Sequence, residues 1–537
     1  MTDEAPPDPH PRPSLRSRPR RWARRPVVLG ATGVLLAAAC VISTTTRRQL
    51  VPVDALGATD VHSPVRAHLV DGSVIVFADG FTVSATRVAG TGQRFDALRR
   101  PVGASMGVPL DSVLGFEVYR RDVNPVRTVV YSAGATAVAA IGTALLAVVI
   151  FGSCPTVYAD SAGVSTLQAE SFSYSIAPLL AKRDVDRMTV VPGADGRIRL
   201  AVRNEALETH HLDQVEVIEL RHRPDELALP SPRGGALAVS SIAAGAVTDG
   251  AGRDVAAAVA RVDDAAFSTS SAFLDRAIAG GPVEDHLTIS VPARAGADSV
   301  ALVLRARSSL LTTSVLYEHL MGRQGALALD WMGRDLARIA PLAQLGTWYG
   351  RNFGMRVEVQ DGAGWRQIIR LMDFGPTAWR TVGVALPAGR GPDDSVRVRL
   401  SFPADAFRVD QLALAYGVRR LAQRRLPVAR AVDAEGRPRA DLAARLARAD
   451  DEEVESYPGA QFTVEFDAGP AAPGTRTFLF AAQGYYVEWL RPSWMRSPAT
   501  AVPFSPARTT MRDLLRSWRG ARDSLETQFF RQRVPVA

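Results

Sequence analysis

Three tryptophans and one aspartate are the side chains of this sequence best suited to binding a ligand. The exposed face of an indole ring can stack against a sugar ring, and a carboxylate accepts hydrogen bonds from hydroxyl groups. Aromatic side chains also fill the cores of β-sheet proteins, and a ring buried in the core cannot stack against a ligand. The candidate ligand-binding residues are Trp348, Trp365, Trp379 and Asp410.

Carboxylates offer a second chemistry, the hydrolysis of glycosidic bonds. That reaction needs two carboxyl groups about 5–10 Å apart on either side of the scissile bond. Glu170, Asp373 and Asp410 would supply such a pair if folding brought two of them into one cleft. A sequence does not give these distances, so we predict no catalytic residue. Hydrolysis of a glycan polymer of the envelope stays an alternative.

The segment Gly103-Ala104-Ser105-Met106-Gly107 matches the Gly-x-Ser-x-Gly nucleophile elbow of α/β-hydrolases. The elbow needs a buried strand before its serine and a helix after it. Pro101 precedes the segment and Pro109 follows it, so a helix cannot start where the elbow requires one. We therefore interpret the segment as a loop without a catalytic role.

Histidine and cysteine residues do not form a convincing metal or redox site in the sequence. His210 and His211 lie close to Asp213 and His222. Adjacent residues of a strand point to opposite faces, so only one of the two histidines would reach a shared site. We expect solvated polar strand ends, no metal and no cofactor. Cys154 is interpreted as a packed thiol or a lipidation site.

The positive charge of the chain is concentrated near its N-terminus. The formal net charge is +8, and residues 1–25 contain seven arginines. A basic segment beside an apolar one is typical of a cytoplasmic flank that faces anionic lipid. This distribution makes membrane lipid the expected partner and argues against nucleic acid.

Two charge-free apolar segments, 26–44 and 128–151, bracket a small domain. The first is about long enough to span the hydrocarbon core of a bilayer. It is either an uncleaved anchor or a signal peptide, because Ala37-Ala38-Ala39-Cys40 resembles a bacterial lipobox that would make Cys40 the lipidated first residue. The second segment is rich in alanine and glycine and is marginal as a span. Its self-association through close backbone packing would make the protein a membrane scaffold.

Three local patterns predict individual elements. An Asp-Gly turn between 66–70 and 73–77 predicts a β-hairpin. A glycine-containing turn between 355–359 and 365–371 predicts a second hairpin. The helical spacing of apolar residues predicts an amphipathic helix over Met511–Arg531.

Alternation of apolar and polar residues over short runs predicts a mainly β protein. We expect a small N-terminal SH3/Sm-like barrel, a larger β-sandwich region with a few helices, and one or two hydrophobic membrane segments. The predicted regions are a disordered basic N-terminus (1–25), a signal peptide or transmembrane anchor (26–44), a small β-barrel-like domain (51–123), an Ala/Gly-rich hydrophobic helix (128–151), a β-rich region (154–306), a helical insertion (307–345), β-sandwich strands (346–418), a linker (419–456), and a β-hairpin with a C-terminal helix (457–537).

Two short motifs resemble a group of bacterial envelope lipoproteins to which no activity is assigned. One is Ser153-Cys154-Pro155-Thr156-Val157-Tyr158 with Glu170 and Phe172 after it, and the other is Gly484-Tyr485-Tyr486-Val487-Glu488-Trp489. The group also resembles this chain in layout over most of 35–495, and the resemblance implies an envelope location and this architecture. Separately, 396–400 and 407–412 are similar to the closing strands of galactose-binding-like β-sandwiches.

These observations lead us to expect a membrane-attached cell-envelope protein whose bulk is extracytoplasmic. The expected role is that of a non-catalytic binding or structural module that contacts a glycan or an envelope protein. The glycan hydrolase and the membrane scaffold are the alternatives.

Overall fold

The computed structural model describes residues 44–51, 60–61, 65–123, 155–322, 339–488 and 510–531, with gaps at 70–72, 79, 96–100, 162–163, 174, 207, 244, 264, 363, 373, 390–392, 451, 458 and 471–474. The chain divides into two compact units, Met1–Thr44 with Val123–Ala140, and Thr45–Asp122 with Ile141–Ala537. Apart from Thr44 and Val123, the described residues belong to the second unit. They form a mainly β structure, as predicted.

An eight-stranded antiparallel sheet, curved into half a barrel, forms the N-terminal region. Its strands are β1 (Thr44–Val51), β2 (Asp60–Val61), β3 (Val65–Leu69), β4 (Val74–Phe77), β5 (Phe81–Val83), β6 (Arg87–Phe95), β7 (Pro101–Pro109) and β8 (Val113–Val123). The hydrogen-bonded order is β1-β8-β3-β4-β6-β5-β2, and β7 pairs with β6. The first predicted hairpin is confirmed, because β3 and β4 pair antiparallel. The sheet begins at Thr44, before the predicted domain start at residue 51.

Alternating side chains and three phenylalanine rings form the core of this half-barrel. Val65 and Ala67 of β3 are fully buried together with Phe77 and Phe116. The ring of Phe81 lies 5.4 Å from that of Phe77 and 4.8 Å from that of Phe116. Full burial of a phenylalanine stabilises a fold by about 1.5–3 kcal/mol. The rings therefore stabilise this small region together with the aliphatic side chains around them.

The segment that matches the nucleophile elbow is not a loop, and that interpretation is wrong. Residues 103–107 lie inside β7, whose one partner among the described strands is β6. Proline is tolerated on such edge strands, where one row of backbone groups needs no partner. Gly107 has a φ of +124°, and a Cβ there would lie 2.2 Å from the carbonyl oxygen of Val88. Glycine is therefore needed for close approach of the two backbones.

Five further antiparallel sheets form the rest of the described chain up to residue 488. Their strands are β9 (Thr156–Ser161), β10 (Val164–Glu170), β11 (Lys182–Arg187), β12 (Arg197–Arg203), β13 (Glu208–His222), β14 (Leu227–Pro230), β15 (Ala236–Val239), β16 (Ser241–Ala243), β17 (Ala246–Asp249), β18 (Glu284–Pro292), β19 (Ser299–Ser308), β20 (Met355–Asp361), β21 (Gly364–Leu371), β22 (Arg380–Pro387), β23 (Ser395–Pro403), β24 (Phe407–Tyr416), β25 (Arg419–Leu421), β26 (Gln423–Pro427), β27 (Arg430–Asp433), β28 (Val454–Ser456), β29 (Gln461–Asp467) and β30 (Thr475–Glu488).

The sheet orders show that one part of the chain is inserted into another. Two sheets, β10-β9-β12-β29-β27 and β11-β30-β13-β26 with β28 on β13, combine strands from both ends of this region and are called the host sheets here. Three sheets, β14-β15-β25, β16-β24-β19-β22 and β17-β18-β23-β20-β21, are built from 227–421 and are called the inserted sheets. Because β13 and β26 are hydrogen-bonded neighbours, the chain leaves and re-enters the host sheets at adjacent strands.

Strand alternation explains how two of the inserted sheets, those that contain β18 and β19, share a core. In β18, Leu287 and Ile289 are buried, whereas the intervening Thr288 is only partly buried. Val300 and Leu302 of β19, in the next sheet, are also buried, and all four apolar residues belong to one hydrophobic cluster. A period of two places such residues on one face of a strand. The second predicted hairpin, β20 with β21, is confirmed.

Helices are few among the described residues. They are Ser271–Ile278, Leu311–Ser314 with a π-helical continuation Val315–Met321, Ile339–Asn352, Ala440–Leu446 and Met511–Arg531, with short 3₁₀ turns at Leu110–Ser112, Pro178–Leu180 and Ala256–Val259. The predicted C-terminal helix is confirmed with its bounds. The predicted helical insertion was placed to end at residue 345, but its last helix continues to Asn352. Trp348 and Tyr349 are buried in that extra turn and account for it.

Two predicted C-terminal regions differ from the structure. The predicted linker 419–456 contains four strands and a helix, because arginines there pair with carboxylates of neighbouring strands, such as Arg424 with Glu219 and Arg430 with Glu465. The predicted hairpin after residue 457 is wrong, since β29 and β30 belong to different host sheets. β30 is apolar on both faces and is the central partner of β11 and β13. Alternation alone does not choose a strand's partner.

No helix in the described part of the chain is long and apolar enough to cross a bilayer. The predicted apolar segments 26–44, apart from Thr44, and 128–151 lie outside the described residues, as does Cys40.

Candidate functional site

A cleft of about 830 Å³ lies between the host and inserted sheets. Pockets that bind small molecules have volumes of about 300–1,000 Å³. One wall comes from β11 of the host, and the others come from β21, β22, the turn after β14 and helix Ile339–Asn352. The cleft therefore lies along the seam between the two parts of the chain.

The helix presents small residues to this cleft. Gly346, Thr347 and Gly350 line it, and residues four apart lie on the same helical face. A Cβ at Gly350 would have no heavy atom within 4 Å. Trp348 and Tyr349, which precede it in the helix, are buried. Glycine at this position keeps open a volume that a larger side chain would occupy.

Arg380 joins the inserted sheets to the host through buried ion pairs. It is 7% exposed, and its Nε donates to Oδ1 of Asp186 at 2.6 Å, while its Nη2 lies 3.3 Å from Oδ2 of Asp184. Lys182 Nζ lies 3.3 Å from the other oxygen of Asp184. Burial acts to raise the pKa of Asp184, but Arg380 and Lys182 outweigh it and hold that pKa below its usual value. The carboxylate therefore stays ionised beside the cleft.

Glu170 makes a second connection across the seam. Its Oε2 accepts hydrogen bonds from the backbone N–H groups of Thr377 (2.8 Å) and Ala378 (2.7 Å), just before β22. A Cβ at Gly375 would lie 2.4 Å from that oxygen and 2.5 Å from Oγ of Ser173, so only glycine fits there. Burial raises the pKa of Glu170, although the two backbone donors and Arg380 oppose the change. Glu170 thus positions the 374–380 segment that carries Arg380.

Three more arginines border the cleft, and they differ in how they are neutralised. Arg183 forms an ion pair with Glu216. Arg370 lines the wall half-buried, and its Nη1 donates to the carbonyl oxygen of Phe353 at 2.7 Å. Arg233 is exposed at the rim, where its Nη2 donates to the carbonyl oxygen of Ile368 at 2.8 Å. The described residues place no carboxylate within ion-pair distance of Arg370 or Arg233.

The predicted ligand-binding residues do not form one site. Trp348 is buried in the helix and packs on Phe353, and Trp365 lies half-buried under the guanidinium of Arg399, 4.4 Å from its ring centre. Trp379 and Asp410 do come together, because Arg305 forms an ion pair with Asp410 and lies 4.9 Å from the centre of the Trp379 ring. These four residues are absent from the lining of the cleft.

The predicted carboxylate pair is likewise not gathered in a cleft. Glu170 and Asp410 are 3% and 0% exposed, and each is held by the partners described above. Neither lines the cleft, and Asp373 lies outside the described residues. Glu170 and Asp410 therefore have structural roles, because each holds neighbouring groups in place through hydrogen bonds or an ion pair.

The histidine cluster is divided between separate environments, and the prediction of solvated strand ends is wrong for His210 and His211, which are buried. His210 Nε2 lies 2.8 Å from Oε1 of Glu208 in the core, and burial lowers the pKa of His210 to about 3. The ring of His211 stacks on Tyr485 with 4.5 Å between centres. His222 is at the far end of β13 and contacts Thr477. Within the described ranges, no three histidine, cysteine or acidic side chains are arranged to hold a metal ion.

The sequence did not predict the cleft residues, because their residue types and spacing do not distinguish them from ordinary surface positions. Arg183, Arg370 and Arg380 look like ordinary charged positions at the ends of strands. The recognisable signal was the pair Gly346 and Gly350 within an otherwise helical pattern, since glycine in a helix lowers its stability by about 1 kcal/mol relative to alanine. Such a spacing points to a face where space is needed.

Comparison with known proteins gives no family for this chain, so its function is inferred from the geometry of the cleft. No protein-family model matches the chain, and no curated protein matches it significantly.

Proposed function

We propose that this chain is a non-catalytic binding module of the cell envelope, whose cleft holds a small molecule or a short segment of a polymer. The observation that carries the proposal is the cleft of about 830 Å³ along the seam, kept open by Gly346 and Gly350. Sites between two parts of a fold are frequent places for ligands, because both parts contribute polar groups to them.

The state of Asp184 favours binding over acid–base catalysis. Among the described residues that line the cleft, Asp184 is the one with a carboxylate. Arg380 and Lys182 hold this carboxylate ionised. A general acid or base works best with a pKa near the operating pH, and a lowered aspartate pKa is far from that condition. We therefore favour the binding module over the glycan hydrolase.

The finer architecture is part of the same proposal. The inserted sheets with β16 and β17 at their edges share one core, which supports a β-sandwich of the galactose-binding-like kind. We also propose that the half-barrel is of the SH3/Sm-like kind. Both are shapes that host many activities, so they support a binding role only together with the cleft.

Membrane attachment through 26–44 gives this module its location, with the bulk of the chain outside the cytoplasm. The seven arginines before that segment support the orientation. Fractionation of cells that express the full-length chain tests attachment, and reporter fusions after Arg121 and after Lys182 test the side. A freely soluble product with residues 1–40 intact would contradict attachment.

Filling the cleft tests the binding role directly. Full-length protein in detergent micelles is applied to an array of neutral and acidic oligosaccharides, together with Gly350→Leu. The matched control is Gly520→Leu, because a Cβ at Gly520 also meets no heavy atom within 4 Å but lies on the C-terminal helix. We expect the wild type and Gly520→Leu to bind at least one oligosaccharide that Gly350→Leu, equally folded by circular dichroism, does not bind. An empty array, or equal binding by Gly350→Leu, would reject the proposal.

A further inference from the structure

We propose that the ligand of this cleft carries an anionic group, a carboxylate or a phosphate, which Arg370 binds. The inference rests on the binding role proposed above and adds the chemical class of the ligand. It follows from which charges around the cleft are already neutralised and which are not.

The side chain of Arg370 is fixed in place with donors to spare. Its bond to the Phe353 carbonyl oxygen holds one edge of the guanidinium against the end of helix Ile339–Asn352. A guanidinium has five N–H donors in a rigid plane. Within the described residues, the remaining donors of Arg370 have no hydrogen-bond partner, and the residue lines the cleft. The planar arrangement of such donors suits the two oxygens of an anion.

Among the described arginines that line the cleft, Arg370 has no carboxylate at ion-pair distance, whereas Arg183 and Arg380 do. Arg183 is neutralised by Glu216, and Arg380 and Lys182 face Asp184 and Asp186. Glu284 and Glu358, whose charges act on Arg370 from a distance, form ion pairs with Arg356 and Arg399. A half-buried cation without a counter-ion is unfavourable in a region of reduced dielectric. An anionic ligand would supply the missing charge.

A second uncompensated arginine lies at the mouth of the cleft. Arg233 sits between the lining residues Pro232 and Gly234, and it donates to the carbonyl of Ile368, which also lines the cleft. Because Arg233 is exposed, solvent and salt screen its charge more strongly than that of Arg370. The two arginines thus have different expected roles. Arg233 attracts the anion to the cleft, and Arg370 holds it.

Carboxylate and phosphate share the chemistry that such a fork recognises, namely two oxygens able to accept parallel N–H donors. Uronic acids bring the carboxylate on a sugar ring, and phosphate esters bring the phosphate. The probes are therefore trigalacturonate, inorganic phosphate and the neutral trisaccharide maltotriose, each titrated calorimetrically into the full-length protein in detergent micelles.

Three substitutions separate the role of Arg370 from a general loss of positive charge. Arg370→Gln is expected to weaken binding of the anionic probe at least tenfold. Arg233→Gln is expected to weaken it two- to threefold at low ionic strength and less in high salt. Arg366→Gln is the control, because Arg366 is on the same strand, is paired with Asp361 at 3.7 Å and does not line the cleft. It should bind like the wild type.

The outcomes distinguish this inference from the proposal on which it rests. Trigalacturonate binding lost in Arg370→Gln supports a carboxylate ligand, and phosphate binding lost in that variant supports a phosphate ligand. Maltotriose binding that is blocked by Gly350→Leu but equal in Arg370→Gln would overturn the anionic ligand and keep the binding role. Anion binding unchanged by Arg370→Gln would overturn the inference as well. If the protein binds none of the three probes, the anionic ligand is also rejected. The oligosaccharide array then tests whether the cleft binds a ligand at all.

Discussion

Removal of the Glu170 side chain should weaken the seam between the host and inserted sheets. The substitution Glu170→Ala leaves the N–H groups of Thr377 and Ala378 without the acceptor that now lies 2.8 and 2.7 Å away. A buried donor without a partner costs about 1–3 kcal/mol, so the loss for two donors is about 2–6 kcal/mol. Water that enters the vacated space would bring the loss toward the lower end of this range.

Glu170→Gln separates the hydrogen bonds from the charge. Its amide oxygen can accept the same two bonds, so we expect a free energy of unfolding within about 1 kcal/mol of the wild type at pH 7. Burial raises the pKa of Glu170 in the folded state above its unfolded value. The stabilising contribution of this group is therefore complete below the unfolded pKa and is lost as the pH rises through the folded pKa. Relative to Glu170→Gln, the wild type should lose stability between acidic and neutral pH.

The assay is thermal and urea unfolding of the full-length protein in detergent micelles, followed by tryptophan fluorescence between pH 4 and pH 8. Trp379 adjoins Ala378 and reports on the segment that Glu170 holds. Equal stability of Glu170→Ala and the wild type would refute the hydrogen-bond argument. Equal damage by Ala and Gln would show that the negative charge, rather than the acceptor, is what matters.

Four further substitutions test other contacts of the fold. Arg380→Met leaves Asp186 buried without its cation and Asp184 with Lys182 alone, so it should destabilise the fold by about 3–5 kcal/mol at pH 7. Its deficit should shrink toward pH 5, as the two carboxylates take up protons in the variant, and a deficit independent of pH in the same unfolding assay would contradict the ion-pair argument. Gly375→Ala places a methyl group within 2.4 Å of Glu170 Oε2 and should lower the free energy of unfolding by about 1–3 kcal/mol. The methyl group of Gly350→Ala meets no heavy atom within 4 Å, so that variant should be as stable as the wild type or more stable. Equal thermal midpoints for the two variants would count against the packing described. Trp518→Ala removes a buried ring whose Nε1 donates to Oδ2 of Asp405 at 2.8 Å, and it should cost about 3–5 kcal/mol. Limited proteolysis should then cut the helix Met511–Arg531 before the sheets, and unchanged protection of that helix would argue that Trp518 does not hold it in place.

Local patterns predicted the elements that are decided by nearby residues. The hairpins β3–β4 and β20–β21 and the helix Met511–Arg531 each combine a clear period with a turn or an amphipathic face. The mainly β character follows from the same alternation repeated along the chain. These features depend on backbone geometry over some ten residues, so a sequence states them directly.

Strand partners and the site depend on contacts that the sequence does not encode locally. β29 and β30 look like a hairpin, but they do not pair with each other. β29 lies between β27 and β12, and β30 lies between β11 and β13; of these four partners, all except β27 are more than two hundred residues earlier in the chain. The arginines of 419–433 look like a linker, but buried carboxylates such as Glu219 and Glu465 turn them into cross-strand partners. Trp348 looks like a sugar platform, and only its burial in the helix assigns it to the core. In each case a charge or ring has several possible neighbours, and the tertiary fold selects one.

The seam explains why the candidate site escaped prediction and why its supports are buried. β13 and β26 are neighbours, so the chain leaves and re-enters the host at one place in the sheet, and apolar residues of both parts pack together. Glu170 and Arg380 add connections elsewhere along the boundary, through hydrogen bonds and ion pairs that only one relative placement satisfies. Misplacement would leave a buried charge or donor unpaired, which is far more costly than losing an apolar contact. The same contacts bring the wall of β11 to face β21, so the position of Arg370 in the cleft depends on them. Glu170→Ala should therefore weaken anion binding as well as stability, and Glu170→Gln should preserve both.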